Sequence, residues 1–586
     1  MGDGAAGSAL RGRVRRRRSL RGVGGVFLAG VLAVAAPLAA QQVVVGEPGA
    51  TLRAAGGMVV SEHPEASRAG AEVLAAGGNA VDAAIATGFA LAVTWPAAGN
   101  IGGGGFMVVR FPDGTTTALD FREKAPLASH PEMWLEDGEY SARVHHDSHM
   151  AVGVPGTVAG FDKAHRLYGT SAWSDVVAPA VELARDGFVL SEGLAGSLER
   201  LVQRRAEYPA TVAAFSRDGV PYGPGEVLRQ PDLARTLERI RTGGAEGFYH
   251  GETADLLVAE MERGGGIITH EDLALYRARE RSPVTVDYDG WEIVSMPPPS
   301  SGGVAIATML NILEGYDLEE LGPGTPATLH LLAEAMRRAF RDRATYLADP
   351  DVVDVPVHRL ASQAHADGLR ATIDPARASI SSPTDVQEVT ESMETTHYSV
   401  VDASGMAVSV TYTLEQGYGS GIVVPGAGFL LNNEMGDFNA QPGVTDERGR
   451  IGTEPNIVRP QQRMLSSMTP TIVAKDGVPL FATGSPGGKT IINTSMQTIL
   501  NVIDHGMNIG EALEAGRIHH QWLPDRTLME KLSFSPDTRR LYEGYGHTVR
   551  EVDGIGTAMA VYRDPETGVV SGAADTRAAD GAALAY

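Results

Sequence analysis

The chain of 586 residues contains no cysteine. Disulfides, thiolate zinc sites, iron–sulfur clusters and cysteine nucleophiles are thereby excluded together. Lysine is scarce, with five residues beside 44 arginines, and the 49 basic residues face 72 acidic ones. The net charge of −23 argues against a nucleic-acid partner, because binding a polyanion rests on clustered Lys and Arg that neutralise phosphates. Also missing are the G-x-S-x-G turn of the α/β-hydrolases and the S-x-x-K motif of the serine β-lactamases. Aromatics are only 6%, but the chain is 43% hydrophobic and 21% charged, enough apolar residues for a substantial core.

The first forty residues combine a basic segment with an apolar run. Residues 11–21 (RGRVRRRRSLR) carry seven Arg, residues 23–38 are apolar, and small residues follow at Ala39-Ala40. That order is the pattern of a secretory signal peptide. The run is broken by Gly and Pro and is shorter than the ~20 residues of a spanning helix, which disfavours a permanent anchor. Removing residues 1–40 takes away seven Arg and one Asp, so the net charge falls from −23 to −29. The expectation is an exported, periplasmic or secreted protein with no membrane anchor after signal removal.

Residues 64–95 read as two Ala-rich helices broken at Gly77-Gly78-Asn79, the second apolar all round and therefore buried. A glycine run at 102–105 feeds a short apolar strand and marks a close backbone approach. Residues 151–348 read as mainly helical, and 362–394 have the composition of an exposed, mobile connector. From Thr395 the texture changes to two period-two runs either side of Asp402-Ala403-Ser404-Gly405, which predicts a β-hairpin with a four-residue turn. Short strands follow, then a helix over 490–516 and a closing β segment near 558–571.

Several motifs fail on inspection. TGSPGGKT (483–490) lacks the first glycine of a phosphate loop, since Thr483 stands there. His145, His146 and His149 lack the Glu and the helical spacing of a zinc protease, and both they and His519-His520 are read as surface loop rather than metal ligands.

One arrangement carries chemistry. A hydroxyl becomes a nucleophile when a base stands beside it, and a chain beginning with Thr supplies its own α-amine, of reference pKa about 7.7–8.0. Such a terminus arises by cutting just before the residue, so a polar connector should run directly into a strand that begins with Thr. Glu394-Thr395 has that arrangement. Pairing Asp402 with Gly405 sets Thr395 opposite Tyr412, with Thr413 as neighbour. By themselves these features also fit an ordinary strand, for which Thr is a good former.

The larger pattern decides between them. GNIGGGGFMVV, LDFREKAP, GVPGTVAGFD, TTHYSVVDASG, TYTLEQGYGSGI, LLNNEMGDFN, MLSSMTPTIV and GSPGGKTIIN occur in this order and closely resemble the γ-glutamyltransferase (γ-glutamyltranspeptidase) family over nearly all of the chain beyond residue 40. The resemblance implies an α+β fold, a four-layer αββα sandwich of the N-terminal-nucleophile hydrolase type. It implies one precursor that cuts itself between Glu394 and Thr395 into a large subunit (41–394) and a small subunit (395–586), which remain together as a heterodimer. Thr395 would be the nucleophile for self-cleavage and catalysis, and Thr413 would hold its hydroxyl. Gly487 and Gly488 would offer N–H groups to the oxyanion. Arg122 would grip the donor's α-carboxylate with Ser466 and Ser467, and Glu415, Glu434 and Asp437 would receive its α-ammonium. The implied activity is cleavage of the γ-glutamyl amide of glutathione and related donors, with transfer to water, amino acids or peptides, and no metal or organic cofactor.

Two departures stand out. Glu415 stands where many members carry Asn and Glu434 where some carry Gln, which makes the ammonium pocket more negative while keeping an acceptor. The stretch 439–465 is long enough to be a lid but contains no aromatic residue. Two rivals remain: a homologous acylase or poly-γ-glutamate enzyme with the same nucleophile, against which Arg122 and the acidic trio speak, and an uncleaved relative that binds γ-glutamyl compounds without turnover.

Overall fold

The computed structural model describes residues 43–46, 50–382, 395–444 and 452–586. The expected signal peptide, residues 383–394 of the connector including Glu394, and residues 445–451 of the expected lid lie outside the described residues. Among the described residues no helix is long and apolar enough to cross a membrane.

The Ala-rich segments form helices Pro64–Ala75 and Ala80–Thr94. Asn79 starts the second by accepting from the N–H groups of Val81 and Asp82, while the Asp82 carboxylate accepts from the Asn79 N–H. All of Ala80–Thr94 is buried, as a helix without a polar face must be.

Eight antiparallel strands form one sheet in the spatial order Val44–Val45, Ala582–Ala585, Met58–Ser61, Thr396–Val401, Ala407–Thr413, Gly104–Arg110, Thr116–Asp120 and Arg279–Arg281. Seven form the other: Val284–Tyr288, Trp291–Ser295, Thr471–Lys475, Val478–Gly484, Met559–Arg563, Val570–Ala574 and Leu52–Ala54. Alternation sorts the side chains. Met58, Val60, Phe106 and Val108 pack on Ile472, Ala482, Met559 and Val561 of the second sheet. Their neighbours Val59, Met107 and Val109 point the other way, into a core shared with Ile85 and Phe89 of the second Ala-rich helix. On the outer side, Val473 and Ala560 of the second sheet meet Leu310, Met336 and Ile499 from helices Gly302–Leu313, Pro326–Tyr346 and Thr490–Ile503. The layers are therefore helix, sheet, sheet, helix, as expected.

Some local expectations need correction. Residues 279–295 are three strands inside the stretch read as mainly helical. The connector's first part is ordered, with a helix Gln363–Arg370, and Ser379 and Ser381 donate to Glu334 and Asp525. The long helix at 490–516 is two, Thr490–Ile503 and Ile509–Glu514, because Gly506 turns left-handed (φ +63°) between them.

The hairpin is present, but its register is one residue off the sequence reading. Val401 pairs with Ala407 and Thr396 with Tyr412. The Asp402 N–H donates to the Met406 carbonyl (3.0 Å), and Gly405 closes a three-residue loop at φ +89°, a conformation glycine adopts without strain. Extending this register sets Thr395 across from Thr413 rather than Tyr412.

The histidines are not surface loop either: His145, His149, His519 and His520 are buried. So is His397, whose ring nitrogens meet the Thr411 (2.8 Å) and Ser399 (2.9 Å) hydroxyls between the sheets. Burial pushes the His397 pKa from 6.5 to about 3, and holds His519 near 3 and His63 and His520 near 4. The unfolded chain then takes protons that the folded one refuses, so this stability is complete above pH 6.5 and is lost as pH falls. Each histidine costs roughly 1 kcal/mol per pH unit. Urea unfolding at pH 7, 6 and 5 should show a falling midpoint, and His397→Asn should show a shallower decline. A wild-type midpoint that stays flat would contradict this account.

Candidate active site

Thr395 immediately precedes the central strand Thr396–Val401, so its position is fixed by a rigid element buried on both faces. The partner strand ends at Thr413. The glycine run packs against that end: a Cβ on Gly103 would lie 2.1 Å from the Thr413 carbonyl, and Asn100 binds both the Gly103 N–H (3.0 Å) and the Thr413 carbonyl (2.8 Å). Beyond Thr413 the chain turns sharply, with Glu415 at φ +83° and its N–H donating to the Thr413 hydroxyl (2.9 Å). Non-glycine residues in this region store strain, and here the strain turns the Glu415 carboxylate into the pocket.

A pocket of about 20 Å³ is lined by Thr395, Thr413, Arg122, Glu415, Glu434, Asp437, Ser466, Ser467 and Gly488. The structure thus brings together all of the expected site residues among those described except Gly487, which borders an adjoining groove that Thr395 also lines.

Arg122 follows the strand Thr116–Asp120 and is fully buried. Its guanidinium pairs with Glu434 and Asp437 and lies 3.5 Å from Glu123. The backbone carbonyls of Met464 and Leu465 accept from it at 3.3 and 3.4 Å. Burial opposes the charge, but the three carboxylates outweigh it and raise the Arg122 pKa. Burial also drives Glu434 well up, with Glu123, Asp437 and Glu415 adding repulsion against the pull of Arg122. One cation thus faces three acids, with Glu415 crowding Glu434 from beyond, an imbalance that suits a pocket completed by a further positive charge.

Glu434 and Asp437 sit on one short 3₁₀ turn. Asn432 holds that turn: its side chain donates to the Gly102 (2.7 Å) and Gly153 (2.8 Å) carbonyls and accepts from the Glu434 N–H (3.0 Å). Behind Ser466-Ser467 lies the segment 296–303 (MPPPSSGG), where Ser301 donates to the Ser466 carbonyl (2.7 Å), and Arg343 of the helix Pro326–Tyr346 donates to the Ser467 hydroxyl (3.1 Å). Gly487 (φ +129°) and Gly488 (φ +56°) lead into the helix Thr490–Ile503, whose positive end favours developing negative charge.

Sequence reasoning passed over two residues at the site. Glu123 lies beside Arg122 in the same motif, and adjacency alone did not show that both side chains would be buried together. His146 was set aside as loop, yet its Nδ1 is 3.6 Å from Glu415. Burial lowers its pKa, and Glu415, Asp437 and Asp147 raise it further than burial lowers it.

The described ends of the expected lid are pinned. Asn439 binds the Asn456 carbonyl (2.9 Å) and the Thr453 carbonyl (2.6 Å), and the Thr453 hydroxyl donates to Ala344 (3.0 Å). His330, Glu334 and His547 lie close enough to hold an ion. Glu334 is already held by Arg337, Arg338 and Ser379, and the facing nitrogens of the two rings, His330 Nδ1 and His547 Nε2, bind each other (2.8 Å).

Comparison with known proteins agrees with this geometry. The chain is 46% identical to the glutathione hydrolase proenzyme of Escherichia coli (strain K12), covering 91% of this chain and 93% of that one. It is 48% identical to the glutathione hydrolase proenzyme of Pseudomonas sp. (strain A14), covering 85% and 87%. The crystal structure of cephalosporin acylase from Bacillus halodurans superposes with a TM-score of 0.81 at 28% identity, covering 94% of this chain and 98% of that one. The family profile for gamma-glutamyltranspeptidase matches residues 66–585, and with the strand headed by Thr395, the acid-ringed arginine and the two-sheet core in place, the chain belongs to the γ-glutamyltranspeptidase family.

Proposed function

We propose that this protein is an exported, self-processing γ-glutamyltransferase that acts on glutathione and related donors. Residues 1–40 direct export to the periplasm or beyond, and the chain is cut between Glu394 and Thr395 to leave a heterodimer of 41–394 and 395–586. The observation that carries this reading is the position of Thr395, at the start of a buried strand and on the wall of the Arg122 pocket.

In the uncut chain the Thr395 hydroxyl attacks the Glu394 carbonyl, the peptide nitrogen leaves as the new α-amine, and water hydrolyses the ester. In the processed enzyme that amine takes the hydroxyl proton as Thr395 attacks the donor's γ-carbonyl. The Gly487 and Gly488 N–H groups meet the oxyanion, the leaving amine departs with the proton, and a γ-glutamyl ester remains on Thr395. Thr413 steadies the hydroxyl, its own oxygen oriented by the Glu415 N–H that it accepts from. Water or an acceptor amine then releases the glutamyl group.

Arg122 takes the donor's α-carboxylate, with Ser466 and Ser467 beside it, while Glu415, Glu434 and Asp437 take the α-ammonium. The pocket of about 20 Å³ has room for roughly one water, so a glutamyl head enters by displacing Glu434 and Asp437 from the guanidinium. The rival acylase reading lacks a use for this zwitterion-shaped charge pattern.

Intact mass and N-terminal sequencing of the purified exported protein test the proposal. The expected result is one piece starting near Gln41 and another starting Thr395-Thr396-His397, together turning over a γ-glutamyl anilide. A single chain running through Thr395 would overturn it.

A further inference from the structure

Thr395 borders two spaces, and among the described residues it alone lines both. One is the Arg122 pocket; the other is a groove of about 690 Å³. With the glutamyl head in the first and the γ-carbonyl at Thr395, the amine half of the scissile amide extends into the second. An incoming acceptor retraces that path, because aminolysis of the ester is the reverse of its formation.

The groove's charge is out of keeping with the chain. In a protein of net charge −23, five basic residues, Arg200, Lys489, Arg526, Arg550 and Arg577, line it against two acids, Glu62 and Asp580, which accept from the Thr557 and Ser191 hydroxyls. The strand Thr527–Glu530 runs parallel to Val549–Val552 with Leu528 beside Arg550, and Arg526 immediately precedes the first strand. Burial and then the facing Arg550 lower the Arg526 pKa from its ordinary value, so the two cations feel each other. Among the described residues neither side chain forms an ion pair or hydrogen bond. Nearby acids are used elsewhere: Asp525 by Arg337, Glu551 by Arg539, Asp553 by Lys531, and Glu530 by Arg577. Two juxtaposed cations repel, and an anion between them removes that cost.

We propose that this groove is the leaving-group and acceptor subsite, and that Arg526 and Arg550 make it select peptides bearing carboxylates. The inference rests on Thr395 being the nucleophile, as proposed above. No new chemical step is involved: the arginines bind the carboxylates of the peptide whose amine leaves or attacks.

The test compares two acceptors with the processed enzyme, the peptide Gly-Glu-Glu and its uncharged counterpart Gly-Gln-Gln-amide, with a γ-glutamyl anilide as donor. Wild type should prefer the acidic peptide in acceptor kcat/KM by about tenfold at low salt, and less as salt rises. In the Arg526→Gln/Arg550→Gln double variant the ratio should fall to near one, and the Arg526→Lys/Arg550→Lys variant should restore much of it. The ratio is read within each enzyme, so a general loss of activity cancels. An unchanged ratio in the Gln double variant would overturn the proposal. Calorimetric titration of the same two peptides makes the comparison without turnover. If the enzyme proved inactive yet bound the acidic peptide through these arginines, the nucleophile reading alone would fall; equal binding of both peptides would sink the groove.

Discussion

Thr395→Ala should leave the chain uncut at 394–395 and lower γ-glutamyl anilide turnover by about 10⁴-fold or more, because hydroxyl and α-amine are lost together. The amine is lost indirectly: without the hydroxyl there is no self-cleavage, and the nitrogen of residue 395 stays an amide with no basic lone pair. Stability should change little. Thr395 contributes only its small side chain to the pocket wall, and the hairpin is held by backbone pairing from Thr396 to Val401. Thr395→Ser, which keeps the hydroxyl, should still process and turn over, more slowly. Denaturing electrophoresis and intact mass separate the cases. A two-piece Thr395→Ala protein would remove Thr395 from the mechanism.

Arg122→Ala should have the next largest effect, and on two quantities at once. Glu434 and Glu123 are fully buried beside the guanidinium, so removing it strands buried acid without its cation. Breaking a buried pair by deleting one partner costs about 3–5 kcal/mol. The sign with pH follows from the raised carboxyls. In the folded state Glu434 and Glu123 hold protons that the unfolded chain releases above about pH 4.5, so the variant should lose stability as pH rises. Donor kcat/KM should fall by about 10²–10³-fold with the carboxylate contact. Arg122→Lys separates the two effects. It keeps the charge and should recover most of the stability, but it lacks the planar fork and should still raise the donor KM. An unchanged KM in Arg122→Lys would remove the carboxylate role.

The site was legible to different depths. The hairpin could be read because apolar and polar residues alternate on both sides of a polar turn, a local property. Its register could not, because Asp402-Ala403-Ser404-Gly405 accommodates more than one loop and the choice rests on Gly405 turning left-handed. Arg122 and Asp437 are 315 positions apart, and nothing near either one announces the other. Their association came from resemblance in the sequence and from a shared pocket in the structure. The histidines were misread for a related reason: a ring is buried or exposed according to what packs on it from elsewhere. His145 lies in a polar stretch yet its Nε2–H donates to the Met435 carbonyl (3.0 Å), far along the chain.

The sequence by itself determined the family, the layer order and the residue at the head of the central strand, because ordered motifs and apolar periodicity are written along the chain. Only the tertiary structure decided that Thr395 faces Thr413, that three acids surround Arg122, and that Arg526 and Arg550 share a groove beside Thr395. Coulomb forces and desolvation act through distance in space, and that distance is set only when both sheets and both helical layers have closed on one another.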